Sequence, residues 1–403
     1  MSILSNDFTF IDLFSGIGGF HYAMKKFSPE SICVYSSEIN AKAIKLYDLN
    51  FGVKSNHDIT SISAQDIPDF DVLCAGFPCQ PFSKAGFQNG FDDTRGTLFF
   101  EIIRILKSKI DSGNKPKILI LENVRNLATH DNHRTWNVIY NSLVEIGFNV
   151  IEKPLILSPK DFGVPQLRDR AIILAVDSDL FSGHLDFTIN KFKECKTIFS
   201  ILEKQSVKMQ KRYGISDYEK KVLDAWDIFI KKLGVRTIGF PIWSDEFDQS
   251  YSVDTLPKWK QNFILKNREL YTENKVMIDK WKNEYDINSF IKTHRKFEWQ
   301  AGKSIGSVYE GLIQFRPSGI RVKKPDFAPT LVAMAHIPIV GKFKRYITPK
   351  EAARLQSLPE DFNFDSVGDD IYRLLGNAVN VDVIYNVVKQ FVDFLDKKSS
   401  VID

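Results

Sequence analysis

Cysteine is scarce: the 403 residues contain four, Cys33, Cys74, Cys79 and Cys195, with no CxxC pair. A disulfide scaffold or a zinc-ribbon site is therefore not expected, and a reduced cytosolic protein is the default. No run of 18 or more apolar residues occurs, so no transmembrane helix is predicted. The opening MSILSNDFTFIDLF lacks a basic segment, an apolar stretch and a small-residue cleavage site, so no signal peptide is read there. Low-complexity tracts, long linkers and repeats are missing as well. With 43% hydrophobic and 26% charged residues, the composition argues against disorder, collagen and coiled coil. What remains is an ordinary globular chain, long enough for one large domain or two.

Charge is distributed unevenly. The chain carries 54 Lys and Arg against 50 Asp and Glu, net +4. Between 181 and 344 the count is 29 basic against 19 acidic, net +10, which leaves 25 against 31 elsewhere, net −6. A basic middle between acidic flanks suits one part that meets a polyanion, or simply a Lys-rich solvated surface.

The first third alternates between strands and helices. Phe8–Phe14, Ser31–Tyr35, Asp71–Ala75, Lys117–Leu121 and Arg170–Val176 read as strands, with helical stretches at Phe99–Ser108 and Thr135–Ile146. Near-continuous apolar strands alternating with helices predict a doubly wound, mainly parallel sheet covered on both faces. The rhythm stops near 180 and returns near 345. There Thr348-Pro349-Lys350-Glu351 forms a capping box with Pro at the first helical position, opening a helix that should end before Pro359. A last amphipathic helix is predicted from Val381 to Phe394. The expected division is thus an α/β domain at 1–180, a second, smaller domain at 181–344, and a segment at 345–403 that completes the first.

Candidate functional residues gather where strands end. Phe14-Ser15-Gly16-Ile17-Gly18-Gly19 follows the first strand and opens a helix, letting backbone approach a ligand. Glu38 lies 22 residues beyond Gly16, where doubly wound folds present a carboxylate to ribose hydroxyls, and Asp58 is placed to accept from an adenine amino group. The spacing is not GxGxxG, so a dinucleotide has no special claim. Cys79 sits in Gly76-Phe77-Pro78-Cys79-Gln80-Pro81-Phe82-Ser83 after the third strand, flanked by Pro and Gln rather than by an apolar run. Glu122 ends the fourth strand, and Arg168 and Arg170 precede the fifth. Each alone also reads as a loop thiol, a capping acid or a salt-bridged arginine pair. His130 and His133 converge with no ligand set in sequence, so no metal is expected.

In this order, FSGIGG, GFPCQPFS, FDDTRGTLFFE, LENV, QLRDR, ITPKEAARLQ and GNAV closely resemble the motif set of the DNA (cytosine-5) methyltransferases, from residue 9 to about 386. The resemblance implies an S-adenosylmethionine-dependent methyltransferase fold and makes the basic block the target-recognition domain. It implies that Cys79 is the nucleophile, adding to carbon 6 of cytosine to make carbon 5 reactive. Glu122 would hold the exocyclic amine and ring nitrogen 3, which requires a raised pKa, while Arg170 binds the 2-carbonyl oxygen and Arg168 helps position the base. S-adenosylmethionine would meet Phe14, Ile17, Gly19, Glu38, Ile39, Asp58, Ile59, Pro78, Leu98, Asn377 and Ala378. Ile39 departs from the bulky aromatic often found after the ribose-binding acid, leaving apolar packing without ring stacking on adenine.

The target base must flip out of duplex DNA, and the glycine-containing stretch Gln80–Thr97 resembles the family's closing loop. Gln80, Ser83, Arg316, Arg321, Lys323, Lys324, Thr330 and Leu331 are the DNA-binding candidates, Thr330-Leu331 resembling a marker that ends many recognition domains. A transfer-RNA cytosine methyltransferase shares the fold and chemistry, but Arg125-Asn126-Leu127-Ala128-Thr129 stands where a Cys-Phe-Thr segment is expected. The intact Cys79, Glu122, Arg168 and Arg170 argue against a silent DNA-binding homologue. A nicotinamide dehydrogenase would explain the glycine turn but not the other motifs. The resemblance therefore implies a monomeric bacterial or phage enzyme of the cytoplasm or nucleoid. It would act on double-stranded DNA, with a restriction endonuclease as a separate partner and no membrane contact.

Overall fold

The computed structural model describes residues 2–55, 57–78, 98–234, 238–331, 336–365 and 367–399. They fall into two compact units, one formed by 1–196 with 352–403 and the other by 197–351. The first unit runs past the predicted boundary at 180 because Phe181 and Phe187 pack on Phe391 and Phe394 of the C-terminal helix.

The first unit is built on one sheet. Strands β1 (Thr9–Leu13), β2 (Ile32–Ser37), β3 (Val72–Gly76) and β4 (Ile118–Val124) are joined through α1 (Gly19–Phe27), α2 (Ala41–Phe51) and α3 (Leu98–Asp111). All four run parallel, in the order β2-β1-β3-β4. β3 and β4 are buried along almost their whole length, as expected for strands covered on both faces. In α3, Phe99, Ile102, Ile103 and Leu106 recur at helical spacing and bury one face against the sheet.

The chain continues through α4 (Arg134–Glu145), β5 (Phe148–Val150), β6 (Leu155–Leu157) and β7 (Arg170–Asp177). β7 inserts between β4 and β5 and runs antiparallel to both. The sheet is therefore mainly parallel, but its fifth predicted strand is reversed. No crossover helix separates β6 from β7, so the chain returns in the opposite direction. This reversal sets Arg170 opposite Val124, at the edge where the parallel strands end.

The second unit contains α5 (Val207–Tyr213), α6 (Asp217–Leu233), α7 (Lys258–Glu273) and α8 (Lys275–Tyr285). Its sheet comprises β8 (Ile242–Trp243), β9 (Lys296–Gln300), β10 (Leu312–Arg316), β11 (Gly319–Lys323), β12 (Ile339–Val340) and β13 (Arg345–Tyr346), in the order β13-β12-β10-β11-β9-β8. Its core is aromatic: Trp226 stacks on Phe297 with centroids 4.8 Å apart and meets Trp281 at 5.0 Å. Ser216 and Glu219 form a capping box that starts α6.

The chain then returns through α9 (Pro349–Leu355), α10 (Ile371–Asn377) and α11 (Val381–Ser399). The predicted capping box is present: Glu351 N donates to Thr348 Oγ1 at 3.1 Å, and Thr348 N donates to Glu351 Oε2 at 2.9 Å. α9 ends before Pro359, as its sequence requires. Among the described residues, no helix is long and apolar enough to cross a membrane.

Candidate active site

The carboxyl ends of β1 to β4 line one edge of the sheet. A cavity of about 450 Å³ opens there. Its wall includes Phe14, Gly16, Glu38, Ile39, Asp58, Ile59, Pro78, Leu98, Glu122, Arg168, Arg170 and Asn377. A carboxylate, an apolar platform, a buried acid and two guanidiniums thus share one space.

At one end the turn after β1 comes close to the end of β2. Gly16 and Gly18 take the left-handed conformation, φ 54° and 87°, and so does Phe14 at 56°. This lets Gly16 N donate to Glu38 Oε2 at 2.9 Å. The other carboxylate oxygen of Glu38 accepts from Ile39 N and Asn40 N, at 2.9 and 2.8 Å. Three backbone donors therefore fix the acid before any ligand arrives. Ile39 is 75% exposed, an apolar side chain standing free at the cavity wall. Asp58 is exposed, and Thr60 donates to its Oδ1 from both backbone and hydroxyl, which holds its carboxyl below the usual range. Ile59 is buried, and its carbonyl accepts from Arg104.

At the other end Glu122 lies two residues before the end of β4, paired with Gly76. It is buried, and Arg170 Nε lies 2.9 Å from its Oε1. Burial raises its pKa, while Arg170 and Arg168 pull it back. Arg168 is also buried. It donates from Nη1 to Gly376 O at 2.8 Å and from Nη2 to Ala378 O at 3.0 Å, and its Nε has no partner among the described residues. Burial, reinforced by Arg170, lowers its pKa to about 9. Arg168 thus ties the GNAV segment to the same edge of the sheet.

Three of the predicted cofactor residues do not line the cavity. Ile17 is buried in the core. Gly19 starts α1 so close to the returning chain that an added Cβ would lie 2.3 Å from Val379 O. Ala378 is buried and contributes its carbonyl to Arg168. Cys79, Gln80, Ser83 and the rest of Gln80–Thr97 lie outside the described residues. Conversely, Asn123, to which the sequence alone assigns no role, belongs to the site. Its Nδ2 donates to Phe77 O at 2.8 Å, bracing the chain two residues before Cys79. Its place beside Glu122 in Leu-Glu-Asn-Val was the available signal. Ser37 and His57 also line the cavity without any motif to mark them, and Phe77 and Val124 line it from within the GFPCQPFS and LENV motifs. No group of His, Cys, Asp and Glu suited to a metal occurs among the described residues.

In the second unit, Arg316, Arg321 and Lys323 sit on neighbouring strands of one sheet, with Lys324 exposed just beyond. Thr330 is half-buried and Leu331 is buried.

Residues 8–393 match the family described as C-5 cytosine-specific DNA methylase. The chain is 35% identical over 426 residues to the Type II methyltransferase M.HgiCI of Herpetosiphon aurantiacus, covering 94% of this chain and 96% of that protein. It is 35% identical over 432 residues to M.NlaIV of Neisseria lactamica, covering 96% and 99%. The crystal structure of the S. pombe Dnmt2 methyltransferase matches with a TM-score of 0.54 at 20% identity, over 96% of this chain and 99% of that one, a likeness of fold. With a match over nearly its whole length and the expected acid and arginines at the carboxyl edge of its sheet, this chain belongs to the C-5 cytosine-specific DNA methylase family of enzymes.

Proposed function

We propose that the protein methylates carbon 5 of cytosine within a specific duplex DNA sequence, as the modification half of a restriction-modification system. The observation that carries this is the pair of buried Glu122 and half-buried Arg170, set in one cavity with Glu38, Ile39 and Asp58. Type II methyltransferases among the relatives support the setting.

S-adenosylmethionine supplies an electrophilic methyl group when bound. The cavity suits it: Glu38 offers a fixed carboxylate to ribose hydroxyls, Ile39 an apolar platform, and Asp58 an exposed acceptor for an amino group. Cys79, as thiolate, adds to carbon 6 of a flipped-out cytosine. Glu122 accepts from the exocyclic amine and delivers a proton to nitrogen 3 as charge builds there, a role that a raised pKa favours. Arg170 donates to the 2-carbonyl oxygen and keeps Glu122 oriented. Arg168 holds the backbone of Gly376 and Ala378 and completes the wall. Carbon 5 takes the methyl group as the methyl–sulfur bond of the donor breaks and leaves a neutral thioether. Loss of the carbon 5 proton to a solvent base, elimination of Cys79 as thiolate and return of the nitrogen 3 proton to Glu122 then release the product base. One base is handled per event, so a monomer suffices.

The test is to incubate the protein with methyl-labelled S-adenosylmethionine and unmethylated genomic DNA, then map 5-methylcytosine by bisulfite sequencing. Methylation at one short motif is expected, and Cys79→Ser should abolish it. If cofactor binds but no label reaches DNA, the proposal fails and transfer RNA becomes the next substrate to try.

A further inference from the structure

We infer that Arg321, oriented by Gln314, reads a guanine in the recognition sequence, a step that rests on the proposed action on duplex DNA. β10 and β11 form a hairpin whose turn, Pro317-Ser318, sets Arg316 opposite Gly319. Gly319 takes φ 126°, and an added Cβ there would lie 2.8 Å from Lys296 O, so the register depends on glycine. That register places Gln314 opposite Arg321, and β9 places Glu298 beside Arg321 on the other side. Side chains alternate across each strand. Phe297, Trp299, Ile320, Val322 and Ile313 enter the core, while Glu298, Gln314, Arg316, Arg321 and Lys323 share the opposite face.

That face is positively charged and incompletely paired. Arg316 forms an ion pair with Glu298. Arg321 donates from Nη2 to Gln314 Oε1 at 2.7 Å, a neutral partner, while Glu298, which faces it, forms its ion pair with Arg316. Gln314 is itself buried and held, since its Nε2 donates to His336 O at 2.9 Å. The Nε atoms of Arg316 and Arg321 are buried without a hydrogen-bond partner among the described residues. Burial lowers the pKa of both Arg321 and Lys323, with neighbouring cations adding to the effect. Among the described residues three cations on this face meet one carboxylate, an excess of positive charge that suits an acceptor from outside.

A phosphate and a base edge both offer acceptors. Phosphate contacts are served by flexible side chains and carry no sequence information, whereas base readout needs a fixed fork. A guanidinium pinned by a buried amide on a β-hairpin is a fixed fork. The base with two major-groove acceptors for it is guanine, through O6 and N7.

The experiment compares wild type, Arg321→Ala, Arg321→Lys and Gln314→Met on duplexes in which each base pair of the mapped motif is varied in turn. A further duplex carries 7-deazaguanine in place of each guanine. Thermal midpoints and cofactor binding monitor folding. For Arg321→Ala, kcat/KM on the cognate duplex should fall on the order of 10- to 100-fold, with discrimination lost at one G·C pair only. Gln314→Met should relax the same position by less, and Arg321→Lys should keep affinity but not discrimination. The 7-deazaguanine at that position should slow wild type and leave Arg321→Ala unchanged. An unaltered base preference in Arg321→Ala overturns the assignment. So does a uniform loss across all duplexes with a shallower salt dependence, which marks a phosphate contact. Failure of wild type on every duplex overturns the action on DNA and this assignment with it.

Discussion

Glu122 is held between opposing fields. Burial favours its neutral form, and two guanidiniums favour the charged one. If it donates a proton to nitrogen 3, Glu122→Gln keeps the shape of the side chain but removes the acid. Single-turnover methylation should then slow by about 10²- to 10⁴-fold, with cofactor binding intact. The pH dependence has a defined sign. The protonated carboxyl is the active form, so the wild-type rate should fall as pH rises through the Glu122 pKa in the complex. The variant should lack that limb in rapid-quench assays. The acid was legible because Leu-Glu-Asn-Val is a local motif. The compensation by Arg168 and Arg170 was not, because it requires knowing which way β7 runs.

α1 shows how an element positions a site through what it lacks. Gly18 at its N-cap and Gly19 at its first turn carry no side chain. An added Cβ on Gly18 would lie 2.1 Å from the Phe51 ring, and one on Gly19 would lie 2.3 Å from Val379 O. The glycine turn therefore meets the C-terminal segment as well as the cavity. Val379 precedes Asn380, whose Oδ1 accepts from Val383 N and caps α11. Gly19→Ala should force these elements apart, destabilising the protein by about 1–3 kcal/mol and weakening cofactor binding. Gly239→Ala is the control, since none of the described residues lies within 4 Å of an added Cβ there. Its thermal midpoint should match wild type, whereas Gly19→Ala should melt lower in calorimetry.

For the whole molecule, the buried His21 contributes to acid sensitivity of stability, while the raised carboxyls of Asp12 and Glu122 act the other way. His21 is 4% exposed, stacks on Phe51 at 3.8 Å and shares a hydrogen bond with Tyr47 Oη at 2.9 Å. Burial lowers its pKa to about 3 from 6.5. The unfolded chain therefore binds a proton that the folded one refuses between those values. Stability is fully expressed above pH 6.5 and declines as pH falls towards 3, by up to about 1.4 kcal/mol per pH unit for this one group. Urea midpoints between pH 7 and pH 5 should fall more steeply for wild type than for His21→Gln. Equal slopes would assign the acid sensitivity to other groups.

By itself, the sequence determined the types of chemistry and their order along the chain. Glycine turns, a Pro-flanked thiol, a strand-ending acid, an arginine pair and a capping box are local patterns, and so are four apolar strands and a basic block. Tertiary structure decided everything that depends on pairing between distant residues. The reversal of β7 is the main case: as one more parallel strand, it would present Arg170 at the opposite edge of the sheet from Glu122. The first unit extends to 196 because aromatic residues beyond 180 find their partners on α11, two hundred residues away. In the second unit, a hairpin register placed Gln314 against Arg321, and a one-residue slip would turn one of them into the core. Composition supplies the charge of that face, but only strand pairing arranges it into a fixed fork.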